Sequence, residues 1–144
     1  MPKSQATKIV QLIKAQTITD GATATANLDM KGYDYATIVV NCGDEETTDA
    51  TLPVVSLLES DDTQVTNFAT VVANASPDLL TARNVVRHVD MRGRKRYLRL
   101  SVTAGTGTGS NMQFAAVAIQ SRAEQQPAST SDMVGSTHDA ISII

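Results

Sequence analysis

Two histidines, one cysteine and several clustered carboxylates are the side chains here that could do chemistry. His88 and His138 stand 50 residues apart and lack the short spacing that lets two imidazoles share a metal ion. The acidic runs, Asp44-Glu45-Glu46 with Asp49 and then Asp61-Asp62, do not follow the ligand spacing of a calcium loop and read as solvated turns. Cys42 follows Ile38-Val39-Val40 and reads as a small buried apolar residue rather than a reactive thiol. Ser56 and Ser101 lie in plain alternating stretches, outside any Gly-x-Ser-x-Gly elbow. The glycine-rich run Ala104 to Asn111 has no Lys-Ser/Thr after its last glycine and opens no apolar helix, so it is not a phosphate-binding loop. The expectation is no catalytic residue, no metal and no cofactor: a protein that binds rather than an enzyme.

Charge is the strongest signal. Seven of the 12 Lys and Arg residues (Arg83, Arg87, Arg92, Arg94, Lys95, Arg96 and Arg99) fall in one short segment. Their acidic counterparts Asp44, Glu45 and Glu46, and later Glu59, Asp61 and Asp62, lie earlier in the chain. Guanidinium groups gathered at a turn favour either solvent or an acidic partner surface. The candidate contacts are therefore the basic turn and the Asp44–Asp49 loop, the second serving as a docking point for another copy's turn. The net charge of -3 argues against direct nucleic-acid contact.

The elements that must position these groups are strands. Asn84 to Val102 reads as a hairpin: Val85, Val89 and Met91 share one face of its first arm, and Leu98, Leu100 and Val102 one face of its second. Ala22, Ala24, Ala26, Leu28 and Met30 alternate with Thr23, Thr25, Asn27 and Asp29 in the same way. Lys8 to Lys14 is β-branched and reads as a strand, with a short helix as the other option. Tyr35 to Cys42 is the most apolar run and belongs in the middle of a sheet, and Gly43 to Ala50 reads as a loop. Pro53 cannot donate to a ladder, so the next strand starts after it or lies at an edge. Met112 to Arg122 closes the series. Seven or eight short strands, with turns every 8–12 residues or so, describe an all-β antiparallel sandwich of the jelly-roll type.

This predicts one domain over residues 1–122 and a C-terminal arm over 123–144, polar and flexible until something orders it. The arm ends in Ile141, Ile143 and Ile144, which could pair onto a sheet edge of a neighbouring subunit. No run approaches the roughly 18 apolar residues of a bilayer span, and no signal peptide is evident, so synthesis in a cytoplasm is expected.

The runs Tyr33-Asp34-Tyr35-Ala36-Thr37-Ile38-Val39-Val40, Leu57-Leu58-Glu59-Ser60-Asp61-Asp62 and Arg96-Tyr97-Leu98-Arg99-Leu100-Ser101-Val102 resemble small jelly-roll cement (decoration) proteins of tailed bacteriophages. The resemblance covers roughly residues 7–122 and follows a strand order more than a chemistry. It implies a virion protein on the outer surface of the capsid, bound to the major capsid protein and stabilising the shell by bridging neighbouring capsomers. It also implies a homo-dimer or homo-trimer. The alternative is another virion β-sandwich, such as a tail-fibre or carbohydrate-binding component. That reading is weakened by the absence of Trp, because sugar and base platforms are usually aromatic. A cupin-type enzyme would need a histidine cluster that two distant histidines cannot supply.

Overall fold

A computed structural model describes residues 7–45, 53–71, 84–107, 111–122 and 138–143. Nine strands are assigned among them: β1 (Thr7–Ile18), β2 (Thr23–Asp29), β3 (Tyr35–Glu45), β4 (Val54–Ser60), β5 (Ala69–Thr70), β6 (Asn84–Asp90), β7 (Tyr97–Thr103), β8 (Met112–Ser121) and β9 (His138–Ile143). The sole helical element among these residues is one 3-10 turn, Val65–Asn67.

Two sheets form, ordered β1-β8-β3-β6-β9 and β2-β7-β4-β5. With β9 set aside, the orders 1-8-3-6 and 2-7-4-5 carry the chain from sheet to sheet at nearly every connection, which is the jelly-roll topology. All ladders are antiparallel except β6–β9, which is parallel. The core lies where the inward faces meet. Ile38, Val40, Val85, Val89, Met112 and Ala118 of the first sheet oppose Leu28, Val55, Leu57, Leu98, Leu100 and Val102 of the second. Gln120 ties the two sheets together by donating from Nε2 to the Asp29 carbonyl over 2.7 Å.

Period-2 alternation set the faces as expected. Thr23, Thr25, Asn27 and Asp29 are exposed, while their alternates Leu28 and Met30 are buried. β3 is central, flanked by β8 and β6. Pro53 precedes β4 and is buried.

Three expectations change. The Asn84–Val102 segment is not a hairpin: β6 pairs with β3 and β9, whereas β7 pairs with β2 and β4. Its basic connection is an arch from one sheet to the other, across the roughly 10 Å that separates packed sheets. Gly93, at φ 80°, supplies the left-handed residue that the arch needs. The supposed Gly43–Ala50 loop begins later, since β3 runs on to Glu45 after a register shift beyond Cys42. The strand series also does not close at residue 122. His138–Ile143 returns as β9 and lies along the chain's own β6.

Candidate interaction surfaces

Four of the clustered cations sit on or beside the arch, and each meets a carboxylate of its own chain. Arg92 forks onto Asp90, with Nε–Oδ1 at 2.9 Å and Nη2–Oδ2 at 2.6 Å. Arg96 forks onto Asp29, with Nε–Oδ1 at 2.8 Å and Nη2–Oδ2 at 2.6 Å. Arg94 lies 3.7 Å from Glu59 and Lys95 3.6 Å from Asp61. Segregation along the sequence therefore becomes neutralisation in space, four cations against four carboxylates. The bidentate pairs fix geometry, while exposed pairs of this kind each contribute only about 0–1 kcal/mol.

Two further cations leave the surface altogether. Arg87 is 5% exposed and shares the inward register of Ile38. Its side chain has partners within the protein, so it lies inside the sandwich rather than on the arch. Arg99 is also buried; its guanidinium lies 3.9 Å over the Phe68 ring and donates to Asn27 Oδ1 at 2.8 Å. It clamps the 3-10 turn and β5 connection against the second sheet.

The arch pairs leave an electrostatic signature. The Arg96 hydrogen bond is the main reason the Asp29 carboxyl falls to about 2 from its usual 3.8. Asp90 is held below the carboxylate range chiefly by the hydrogen bond from Arg92, and Asp62 chiefly by the hydrogen bond from Asn67. A carboxylate depressed in the folded state adds stability above its unfolded pKa of about 3.9 and loses it as the pH falls through the folded value. An NMR titration should therefore show Asp29 half-protonated near pH 2, with the arch contribution intact at pH 5 and fading from about pH 4 downward. An Asp29 midpoint at or above 3.8 would remove the bidentate pair.

The outer face of the five-stranded sheet is built differently. On β8, Gln113, Ala115, Val117, Ile119 and Ser121 share the outward register, and beside them on β3 stand Tyr35, Thr37, Val39 and Asn41. β6 adds Asn84, Val86, His88 and Asp90. Asp90, at one end, is the only Asp, Glu, Lys or Arg among them. The outer face of the other sheet is conventionally polar, with Thr23, Thr25, Asn27 and Asp29 beside Thr103, Ser101, Arg99 and Tyr97. An antiparallel sheet that faces water normally alternates apolar in and polar out. Ala115, Val117 and Ile119 of β8 and Val39 of β3 depart from that rule on the outer side of the five-stranded sheet.

Part of this face is closed. Tyr35, Val86 and His88 are buried, with Tyr35 and His88 stacked at 6.1 Å between ring centroids and His88 Nδ1 3.0 Å from Thr37 Oγ1. Burial raises the Tyr35 phenol above its ordinary pKa, and the nearby Asp90 charge adds to the shift. The β1–β8–β3 side is open. Ile9 is 71% exposed and faces Ile119 in register; Val117 is 36% exposed and faces Val39. Next to this patch, where β1 shifts register, a cleft of about 390 Å³ is lined by Gln16, Thr17, Asn41, Gln113 and the small residues Ala15 and Ala115.

No protein-family model matches the chain. No curated protein matches it in sequence either. Several solved structures do match. The VP2 subviral particle of infectious bursal disease virus aligns at a TM-score of 0.47 and 10% identity, over 81% of this chain and 33% of that one. The K3 cleaved adhesin domain of Lys-gingipain from Porphyromonas gingivalis aligns at 0.48 and 13%, over 74% of each chain. TmCBM61, solved with β-1,4-galactotriose, aligns at 0.42 and 11%, over 80% and 81%. The chain thus spans about a third of the VP2 chain that it resembles. Likeness at this level assigns no function, and the jelly roll rests on the strand order itself.

Of the contacts expected from sequence, Arg92, Arg94, Lys95 and Arg96 come together on the arch, whereas Arg87 and Arg99 are drawn away from it. Asp44 and Glu45 end β3, and Ile141 and Ile143 lie in β9. Glu46, Asp49, Arg83 and Ile144 lie outside the described residues. Among those described, no group of three or more His, Cys, Asp or Glu residues could hold a metal ion, and no helix is long and apolar enough to cross a membrane. The patch of Ile9, Val39, Val117 and Ile119 escaped the sequence reading. Its signal was there, as apolar residues on both faces of β8 and β3, but buried central strands carry the same pattern.

Proposed function

We propose that this protein is a structural binding module of a virion, a cement protein that docks on the outer surface of the major capsid protein shell and bridges neighbouring capsomers. The observation that carries the reading is the outward register of β8, β3 and β6, charged only at Asp90 at one end, with Ile9 and Val117 standing open on this side of the sheet. Depletion of charge and enrichment of apolar area at its centre are what set an interface core apart from ordinary surface. The phage-cement resemblance supplies the partner. The basic arch, already neutralised by its own carboxylates, forms the rim in this reading rather than the anchor. A patch this small binds weakly at one site, and a multivalent homo-oligomer on a repeating shell turns weak single contacts into firm attachment.

Quantitative mass spectrometry on gradient-purified particles from the source tests the proposal. The expected result is a copy number comparable with that of the shell protein. A few copies per particle would move the protein to the tail or portal, and absence from the particle would overturn the structural role.

One observation favours a second reading, a carbohydrate-binding virion component. The cleft at the β1 register shift offers the amides of Gln16, Asn41 and Gln113 and the hydroxyl of Thr17, groups suited to sugar hydroxyls. Specific binding on a glycan array, lost in Asn41→Ala, would establish it.

A further inference from the structure

We infer that β9 is an exchangeable strand, and that its partner in the assembled state is the β6 edge of a second copy of this chain. The inference goes beyond shell docking and does not depend on it.

Among the described residues, β9 is the last member of its sheet and pairs with β6 alone, in the one parallel ladder. Beneath it, β6 is buried from Val85 to Val89, so both faces of that strand lie out of water. A bare β6 would present an unpaired edge, the kind of template that recruits other strands. Some strand must fill the slot, and the register Val86–Ile141 and His88–Ile143 specifies which residues do so.

Nothing in the chain's reach ties that strand to its own sheet. Sixteen residues separate Ser121 from His138. Ser121 lies at the Tyr35 end of the sheet and His138 at the Asn84 end. Crossing three strand spacings and the length of β6 requires about 25 Å. Sixteen extended residues reach about 55 Å. A connection of sixteen residues is thus about twice as long as its own sheet requires, and length alone does not confine β9 to its own β6. Own and exchanged pairings make the same contacts, so concentration decides between them. Joining two partners by a short stretch of chain holds them at about millimolar effective concentration, and copies packed side by side match that value where dilute copies do not.

Cysteine pairing in the full chain tests this. Two versions of different mass, one carrying Val86→Cys and the other Ile141→Cys, are mixed at about 1 mM under reducing conditions and then oxidised. Neighbours in register across a ladder lie within disulfide reach, and Cys42 is buried in both chains. The expected product is a mixed V86C–I141C disulfide, at least tenfold more abundant than that formed when exposed V117C replaces buried V86C. At about 1 μM the mixed product should fall to the V117C level, while a single chain carrying both V86C and I141C closes on itself. A V86C–I141C yield no higher than the V117C control at 1 mM would overturn exchange. Failure of the doubly substituted chain to close would overturn the register on which the inference stands.

Discussion

Leu100→Ala is expected to lower the unfolding free energy by about 2–5 kcal/mol, a large part of the 5–15 kcal/mol that typically holds a domain of this size together. Leu100 lies at the centre of β7, in register with Ala26 of β2 on one side and Leu57 of β4 on the other. It is among the largest fully buried side chains, so little around it can relax into the space an alanine leaves. The loss should shift the melting temperature by roughly 10–20 °C, and urea unfolding would measure it directly. Arg96→Gln, which breaks the exposed pair with Asp29, is expected to cost far less in the same experiment, because solvent screens such a pair. A Leu100→Ala loss below that of Arg96→Gln would mean that the two sheets do not meet at this residue.

The second large effect concerns attachment. Val117→Asp should leave the melting temperature within a few degrees of the parent, because the position is part-open and surface substitutions usually change stability by less than about 0.5 kcal/mol. Under the proposed docking, the same change would bury a carboxylate at the centre of the contact. A cost of about 3 kcal/mol weakens each site more than a hundredfold, and attachment through several sites amplifies the loss. Titrating stripped particles with the purified variant, and scoring bound copies, would measure it. Arg92→Gln and Arg94→Gln should bind nearly as the parent does. The reverse ranking, with the arginine variants detached and Val117→Asp retained, would return the docking role to the basic arch.

Those contrasting expectations show where the sequence could be read and where it could not. Faces were legible because alternation depends only on neighbours: Ala22 through Met30 and Leu98 through Val102 sort correctly from residue types alone. Pro53 marked the start of β4 through its missing N–H. Pairing was not legible. Two alternating runs joined by a glycine-containing turn look the same whether they form a hairpin or face each other across a sandwich, and Asn84–Val102 proved to be the second case. The charge cluster misled for a related reason. Asp29 reaches Arg96 from 67 positions away and Glu59 reaches the arch from the second sheet, contacts that exist only once the strand order is known. Arg87 kept the inward parity of Val85 and Val89, and its charge hid a position whose spacing already marked it as buried.

The closing of β1 against β8 has a consequence for the chain's life on the ribosome. β1 ends at Ile18, and the last residue of β8 is Ser121, about a hundred residues later. At about 5–20 residues per second, the first strand waits roughly 5–20 seconds for its ladder partner β8 to be made. β2 likewise waits for β7, so little of the sandwich assembles before most of it has been translated. Through that interval Ile9, Val10, Leu12 and Ile13 lack that partner, bracketed by Lys8 and Lys14. Two lysines beside an unavoidable apolar run are what discourage nascent chains from sticking to one another. A fold dominated by such distant pairings also matures slowly, in milliseconds to seconds rather than microseconds. Replacing both lysines with valine should therefore reduce soluble yield during synthesis far more than it changes the stability of the finished protein.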